Sequence, residues 1–278
     1  MSSTVAIIAG AGHFPMYAAQ AAKRQGLKVV GVGLRGWVDP ALASQVDVYE
    51  EIAVGQLRRL VEYLKAQAVH QAIMAGKVTK EVFFDERHQF DAQTLAVLSQ
   101  VKSFSVDALL GAVATHLAGE GIVLLDSSTF LKANLCPVGP LTSRGPTPIE
   151  LGDIGVGQHA ARAVANVDIG QTVVVKDRVV VAVEALEGTD AAIRRAHTLA
   201  GGGLVVVKVA SAQQDHRFDL PVIGPHTITT LKDAHVSCLA VEAGTTLLLD
   251  RHALVADADA AGICLVGITI PASSTAST

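Results

Sequence analysis

Val5-Ala-Ile-Ile-Ala-Gly-Ala-Gly12 is the stretch on which the fold turns. Its five apolar residues do not alternate with polar ones, which suits a strand buried on both faces, as parallel strands covered by helices are. Gly10 and Gly12 then mark a tight turn into a helix expected over residues 16–25, which stops at Gly26. A second strand is expected over 28–33, and a helix over 54–67 places Leu57, Leu60, Val61 and Leu64 on one face. Residues 72–75 run into Gly76-Lys77 as another strand-to-loop junction, followed by helices near 92–100 and 106–118 and a strand at 122–125. Strands alternating with covering helices predict a Rossmann-like N-terminal domain over 1–134.

Beyond this point the composition changes. Residues 134–148 hold Pro137, Gly139, Pro140, Gly145, Pro146 and Pro148, so 135–148 reads as a linker. A helix is expected over 149–165, then strands at 172–175 and 178–183 joined through Lys176-Asp177. A helix at 191–199, strands at 204–209, 237–241 and 246–249, a helix at 252–260 and a strand at 263–266 complete a distinct α/β C-terminal domain over 149–270. The Ser/Thr-rich tail 271–278 is expected to be disordered. The fold class is therefore α/β in two domains, with a ligand cleft expected between them.

Hydrophobic residues are 50% of the 278, charged residues 17% and aromatics 4%, so the cores are expected to be built from Val, Leu, Ile and Ala. A formal charge of −4 with scattered Lys and Arg gives no footprint for nucleic acid and no polybasic membrane tether. Three widely spaced cysteines form no C-x-x-C unit, which fits a reducing cytoplasm. No leader and no apolar run long enough to span a bilayer is seen, leaving transient contact with a membrane surface open. A homodimer is expected only from the general frequency of symmetric dimers.

Gly10-Ala-Gly12 invites a dinucleotide reading, but Pro15 stands where the third glycine belongs, and Gly33-Leu34-Arg35 where an acidic ribose ligand would close the second strand. NAD is set aside. What remains is either a plain tight turn or a loop whose amides approach a phosphate or sugar. Gly76 and Lys77, at the C-terminal end of a strand, have the same two readings: ordinary loop, or ligand contact.

The second half concentrates polar residues in three places. Asp168-Ile-Gly-Gln171 opens the expected hairpin, and Glu184-Ala-Leu-Glu-Gly-Thr-Asp190 closes it. Thr189 is a candidate N-cap and Asp190 suits the first helical turn, while Gly188 would let a phosphate approach the open amides. Glu184 and Glu187 could hold a divalent cation beside that phosphate. The third place is Lys208 with Gln214-Asp-His-Arg-Phe-Asp-Leu-Pro221. If this segment is extended, Asp215, Arg217 and Asp219 share a face, successive members roughly 7 Å apart. That is either a surface salt bridge or a site in which Arg217 and Lys208 neutralise a pyrophosphate while Asp219 handles metal or water. The histidines have no zinc spacing, and no G-x-S-x-G elbow is present.

Taken in order, these segments resemble the LpxI-type UDP-2,3-diacylglucosamine pyrophosphatases. The likeness runs to about Ile268 through Ile8-Ala-Gly10-Ala-Gly12, Gly76-Lys-Val78, Asp126-Ser-Ser-Thr-Phe130, Val167 to Gln171 and Ala182-Val-Glu-Ala185. It continues through Glu187-Gly-Thr-Asp190, Gln214-Asp215, Arg217-Phe-Asp-Leu-Pro221 and Glu242-Ala-Gly244. The resemblance implies a lipid-linked nucleotide sugar, UDP-2,3-diacylglucosamine, held between two domains. It further implies Mg²⁺-assisted hydrolysis to 2,3-diacylglucosamine 1-phosphate (lipid X) and UMP in lipid A biosynthesis, at a cytoplasmic site reaching the inner membrane. Asp219 matches the family's essential acid, and Ser211-Ala212 departs from a Lys-Pro pair common there. A non-catalytic lipid- or nucleotide-sugar-binding protein of the same fold is the alternative.

Overall fold

The computed structural model describes residues 3–78, 90–101, 106–211, 215–218 and 220–270. It divides into two compact units. The first is Met1–Lys132 together with Gln214–Leu220, and the second is Ala133–Gln213 together with Pro221–Thr278. The expected boundary near 134 is close to the first change of unit. The chain then leaves the second unit at 213 and returns to it at 221, so the Asp215–Phe218 segment, expected in the C-terminal domain, belongs with the first unit.

In the first unit β1 (Thr4–Ala9), β2 (Lys28–Leu34), β3 (Val48–Ile52), β4 (Gln71–Ala75) and β5 (Val123–Leu124) form a parallel sheet. Its order is β3-β2-β1-β4-β5. The buried run of β1 occupies the centre, as its unbroken apolar sequence requires. Helices α1 (Phe14–Arg24), α2 (Leu57–Ala66), α3 (Ala92–Leu98) and α4 (Val106–Gly119) connect the strands. Leu57, Leu60, Val61 and Leu64 of α2 enter the core with Ile8, Val30 and Ala72, as the helical spacing predicts. β3 is not visible in the apolar pattern, because an edge strand tolerates the charges of Glu50 and Glu51.

The second unit is a six-stranded mixed sheet. Its strands are β6 (Gly139–Pro140), β7 (Thr172–Lys176), β8 (Val179–Val183), β9 (Leu204–Lys208), β11 (Val236–Glu242) and β13 (Cys264–Ile268), in the order β6-β13-β11-β9-β7-β8. A two-stranded sheet pairs β10 (Val222–Ile223) with β12 (Leu247–Leu248). One face of the large sheet carries α5 (Pro148–Asn166), started by a reciprocal capping box of Thr147 and Glu150. Gly157 lets α5 approach closely, since a Cβ there would lie 2.5 Å from a Val207 methyl. The core against β9 and β11 on the other side includes Ile193 of α6 (Thr189–Ala200), Leu231 of α7 (Pro225–Asp233) and Leu254 of α8 (Arg251–Ala260).

Three local expectations differ from what the chain does. Residues 135–148 are built into the second unit: Cys136 is buried, its amide donates to the Thr246 carbonyl, and β6 pairs with β13. The β7–β8 turn is Asp177-Arg178, both with positive φ, and the Arg178 amide donates to the Asp153 carboxylate at 2.5 Å. That side-chain acceptor replaces the usual glycine as the device fixing the turn. Finally, α7 occupies a stretch to which the sequence analysis assigns no element. The tail 271–278 lies outside the described residues. Among the described residues, no helix is long and apolar enough to cross a membrane.

Candidate active site

In the first unit, loop connections reverse direction between β1 and β4, the position where open α/β sheets bind ligands. The two loops there interlock through their backbones. The Ala11 amide donates to the Lys77 carbonyl at 2.8 Å, and the Lys77 amide donates to the Ala11 carbonyl at 2.9 Å. A Cβ on Gly10 would lie 2.7 Å from the Lys77 carbonyl oxygen. One on Gly76, whose φ is +91°, would lie 2.7 Å from the Ala11 carbonyl oxygen. Both glycines are therefore explained by this crossing. Gly12, also at φ +91°, has no close neighbour and is fixed by backbone conformation alone.

The Asp215–Phe218 segment docks on this unit. It is a turn over 216–218, not the extended run expected from its alternation. Asp215 Oδ1 accepts from the Arg217 amide at 3.0 Å, and the Asp215 carboxylate receives the Arg217 guanidinium at 2.5–3.1 Å. This local ring closes more favourably than an open strand. The Arg217 hydrogen bonds hold the Asp215 carboxyl below its ordinary range, and the same pairing raises Arg217. Of the two readings open in the sequence, the salt bridge is therefore present, and Arg217 is already engaged. The Asp126-Ser-Ser segment receives the turn: the Ser127 amide donates to the His216 carbonyl at 2.9 Å. Phe218 packs on the core of the first unit. Asp219 and Gln214 lie outside the described residues.

In the second unit, one sheet edge gathers the C-terminal ends of β9 and β11 with the start of β7. Lys208 is 8% exposed, and its ammonium donates to Thr172 Oγ1 at 3.2 Å and Thr189 Oγ1 at 3.1 Å. Glu184 Oε1 accepts from the Thr189 hydroxyl at 2.7 Å, and Oε2 lies 3.8 Å from the Lys208 ammonium. A lysine this buried needs such partners to stay charged at tolerable cost. The N-cap of α6 is Gly188, at φ +81°, with no side-chain cap; Thr189 is the first helical residue and turns to Lys208 instead. Gly188 thus gives the first amides of α6 no side-chain cap, as at helix ends that receive anions.

Gln171 lies beside this edge, its carbonyl accepting from the Val209 amide at 2.9 Å. Gly170 has no room for a Cβ, because the Glu184 backbone is packed against it. Asp190 and Glu187 turn away to other partners: Asp190 lies 3.3 Å from the His226 ring, and Glu187 pairs with Arg195 at 2.7 Å. Two contributors escaped the sequence reading. Thr172 stands opposite Lys208 in the strand register, a pairing that only the sheet reveals. Arg162 pairs with Glu242 at 2.6 Å and also donates to the Ala210 carbonyl, while the Ala210 amide donates to Glu242 Oε2 at 2.8 Å. Their separation in sequence conceals that clamp.

The expected cation ligands have an unequal basis. Among the described residues, no three His, Cys, Asp or Glu side chains converge on one point. Glu184 faces Lys208 and Thr189, and Glu187 faces Arg195 and the Ala185 amide. Mg²⁺ requires near-octahedral oxygen donors, and these two carboxylates alone do not compose such a cage.

Both halves of the chain match family models: residues 4–134 match the LpxI N-terminal domain, and 137–266 the LpxI C-terminal domain. A Caulobacter vibrioides protein named UDP-2,3-diacylglucosamine pyrophosphatase LpxI is 31% identical over 273 residues, covering 94% of this chain and 96% of that one. Solved structures give a far slighter likeness. CobK precorrin-6A reductase aligns over 97% of this chain and 89% of its own at TM-score 0.31 and 13% identity. A biotin carboxylase from Campylobacter jejuni aligns over 70% and 42% at TM-score 0.27 and 13% identity.

Proposed function

Since this chain belongs to the LpxI family across both of its domains, we propose that it hydrolyses the pyrophosphate bond of UDP-2,3-diacylglucosamine in lipid A biosynthesis. The products are 2,3-diacylglucosamine 1-phosphate and UMP. The observation supporting this most directly is the buried Lys208 ammonium beside the start of α6, whose N-cap Gly188 makes no side-chain cap: a cation and a helix N-terminus together suit phosphate oxygens.

In this reading water attacks the phosphorus on the sugar side. The bond from that phosphorus to the bridging oxygen breaks, the bridging oxygen leaves with UMP, and the water oxygen stays in the lipid phosphate. Lys208 and the α6 amides offset the charge that repels the nucleophile. Asp219 orients the water and takes its proton; with a reference pKa near 3.9, orientation is its larger contribution. The Asp215-Arg217 turn leading to Asp219 belongs to the first unit and Lys208 to the second. The same reading has the substrate held between the two domains, with apolar side chains taking the acyl chains. Gly12, Lys77 and Gln171 are assigned to substrate contact on the same reading.

Asp219, Glu184 and Glu187 would hold Mg²⁺ together with phosphate oxygens of the substrate, and the ion would offset the negative charge that repels the attacking water. The same reading places the enzyme in the cytoplasm, meeting its lipid at the inner membrane surface, with a homodimer as its expected assembly.

Incubation of the purified protein with UDP-2,3-diacylglucosamine and Mg²⁺ tests the reaction. UMP should appear, and in ¹⁸O-water the label should enter the lipid phosphate. Substrate binding with no UMP across a series of divalent ions would establish the non-catalytic alternative. Asp219→Asn should lower kcat by about 10²–10⁴-fold with little change in KM. Near-normal turnover would remove Asp219 from the mechanism.

A further inference from the structure

Ser127 is 2% exposed, and the proposed chemistry leaves it without a role. Its hydroxyl lies 2.7 Å from the Met74 carbonyl oxygen and 2.8 Å from the Arg217 carbonyl oxygen. With one hydrogen to give, it is shared between the two acceptors. Its amide donates to the His216 carbonyl at 2.9 Å. Ser127 thus holds two consecutive carbonyls of the 216–218 turn and ties them to the penultimate residue of β4, beside Gly76-Lys77. Asp126 sets Ser127 in place, because its Oδ1 accepts from the Ser128 amide at 2.7 Å and from the Ser128 hydroxyl at 2.5 Å.

The grip is on main-chain atoms. It therefore reads where the turn lies and not which side chains it carries. The turn is otherwise held by its own Asp215–Arg217 ring, which fixes its shape but not its place, by Phe218 against the core, and by His216, whose Nδ1 lies 3.8 Å from Asp126 Oδ2. The Arg217 carbonyl itself, two residues before Asp219, is gripped by the Ser127 hydroxyl.

We propose that Ser127 is a positioning residue for the proposed hydrolysis, fastening the turn that leads into Asp219 to the end of β4. This rests on Asp219 acting as proposed above. A misplacement of about 1 Å in such a group is worth roughly 10²-fold in rate. Ser127→Ala should lower kcat by about 30- to 100-fold with KM changed less than about 3-fold. Ser127→Thr, which keeps the hydroxyl, should restore most of the loss. The deciding measurement is the double variant. In an Asp219→Asn background, Ser127→Ala should cost less than about 3-fold, because the residue it places is already disabled.

A purely structural serine would instead lower thermal stability and active yield, and its effect would multiply unchanged in the Asp219→Asn background. That result, or a Ser127→Ala enzyme within about 3-fold of wild type, overturns the proposal while leaving the hydrolase reading intact. If Ser127→Ala fails to fold, Ser127→Cys, of similar size and weaker donor strength, should give an intermediate kcat, and an unchanged one counts against it. Wild-type protein that releases no UMP overturns both.

Discussion

At the β1/β4 edge of the first unit, the segments are joined to one another by hydrogen bonds accepted by main-chain carbonyls: those of Ala11 and Lys77 from each other's amides, and those of His216, Arg217 and Met74 from the Ser127 amide and hydroxyl. At the β9 edge of the second unit the contacts are between side chains, and mostly charged ones: Lys208 with Glu184, and Arg162 with Glu242. The first edge is sensitive to volume, since a single Cβ at Gly10 or Gly76 meets a rigid carbonyl. The second is sensitive to charge, since removing one member leaves its partner buried without its counter-charge. The same fold class thus offers a phosphate two kinds of surface, one made of close backbone approach and one of compensated charge.

The largest expected effect comes from breaking the charged edge. Lys208→Met keeps the stem and removes the ammonium, leaving Glu184 beside an apolar group. Turnover should fall by about 10²–10³-fold, the scale of losing one preorganised charge-stabilising donor. Thermal stability should fall as well, because Glu184 loses the ammonium beside it. Lys208→Arg tests whether charge alone suffices: the Thr172 and Thr189 hydroxyls stand 3.2 and 3.1 Å from a point donor, so the planar fork should rescue poorly. Full activity in Lys208→Met would mean that the charged edge does not serve the reaction.

Breaking the backbone edge should cost less. Gly10→Ala changes no charge but drives a methyl against the Lys77 carbonyl, which is part of the interlocked pair and cannot swing aside. Overpacking of this kind costs about 1–3 kcal/mol. Activity should fall about tenfold through displacement of the Gly12 and Lys77 loops, read as a rise in KM larger than the fall in kcat. Gly12→Ala, with open space around it, should meet no clash in the free protein and lose about 1–2 kcal/mol of stability to conformational strain. A Gly10→Ala protein as stable as wild type would refute close approach as the reason for Gly10.

The sequence made these edges unequally legible. Apolar continuity located β1, β4 and β9, and glycines marked the loops, because both are local signals. Thr172 and the Arg162–Glu242 clamp were hidden, because strand register and helix docking bring together residues far apart in the chain. The Asp215–Arg217 turn was misread as extended: alternating residue types mimic a strand, while the carboxylate-to-amide bond that closes the turn leaves no period. β3 was missed because exposure of an edge strand erased its apolar pattern, and α7 because Gly224-Pro225 reads as a break as readily as a helix start. Family resemblance supplied what periodicity could not, the singling out of Asp219.

The smallest effect on turnover is expected from an equally well-built ion pair that lies on the same second sheet but at its other end. Glu150 receives the Arg144 guanidinium through two bonds of 2.9 Å and the Thr147 amide at 2.7 Å, and Arg144 also reaches the carbonyl of Ser237, near the start of β11. Burial alone would raise the Glu150 carboxyl, but the Arg144, Thr147 and Ser237 hydrogen bonds outweigh it and hold it at about 2, against 4.5 ordinarily. A folded-state value below the unfolded one means stability that is complete above pH 4.5 and lost as pH falls from there towards 2. Glu150→Gln should therefore cost about 2 kcal/mol at neutral pH, below the 3–5 of a fully buried pair because Arg144 is partly exposed. Urea unfolding should show that gap narrowing by pH 3, while kcat per folded molecule at neutral pH stays at the wild-type value. A kcat loss approaching that of Lys208→Met would mean that the whole charged sheet, and not its β9 edge, is tuned for the reaction. The contrast between the two edges would then lose its meaning.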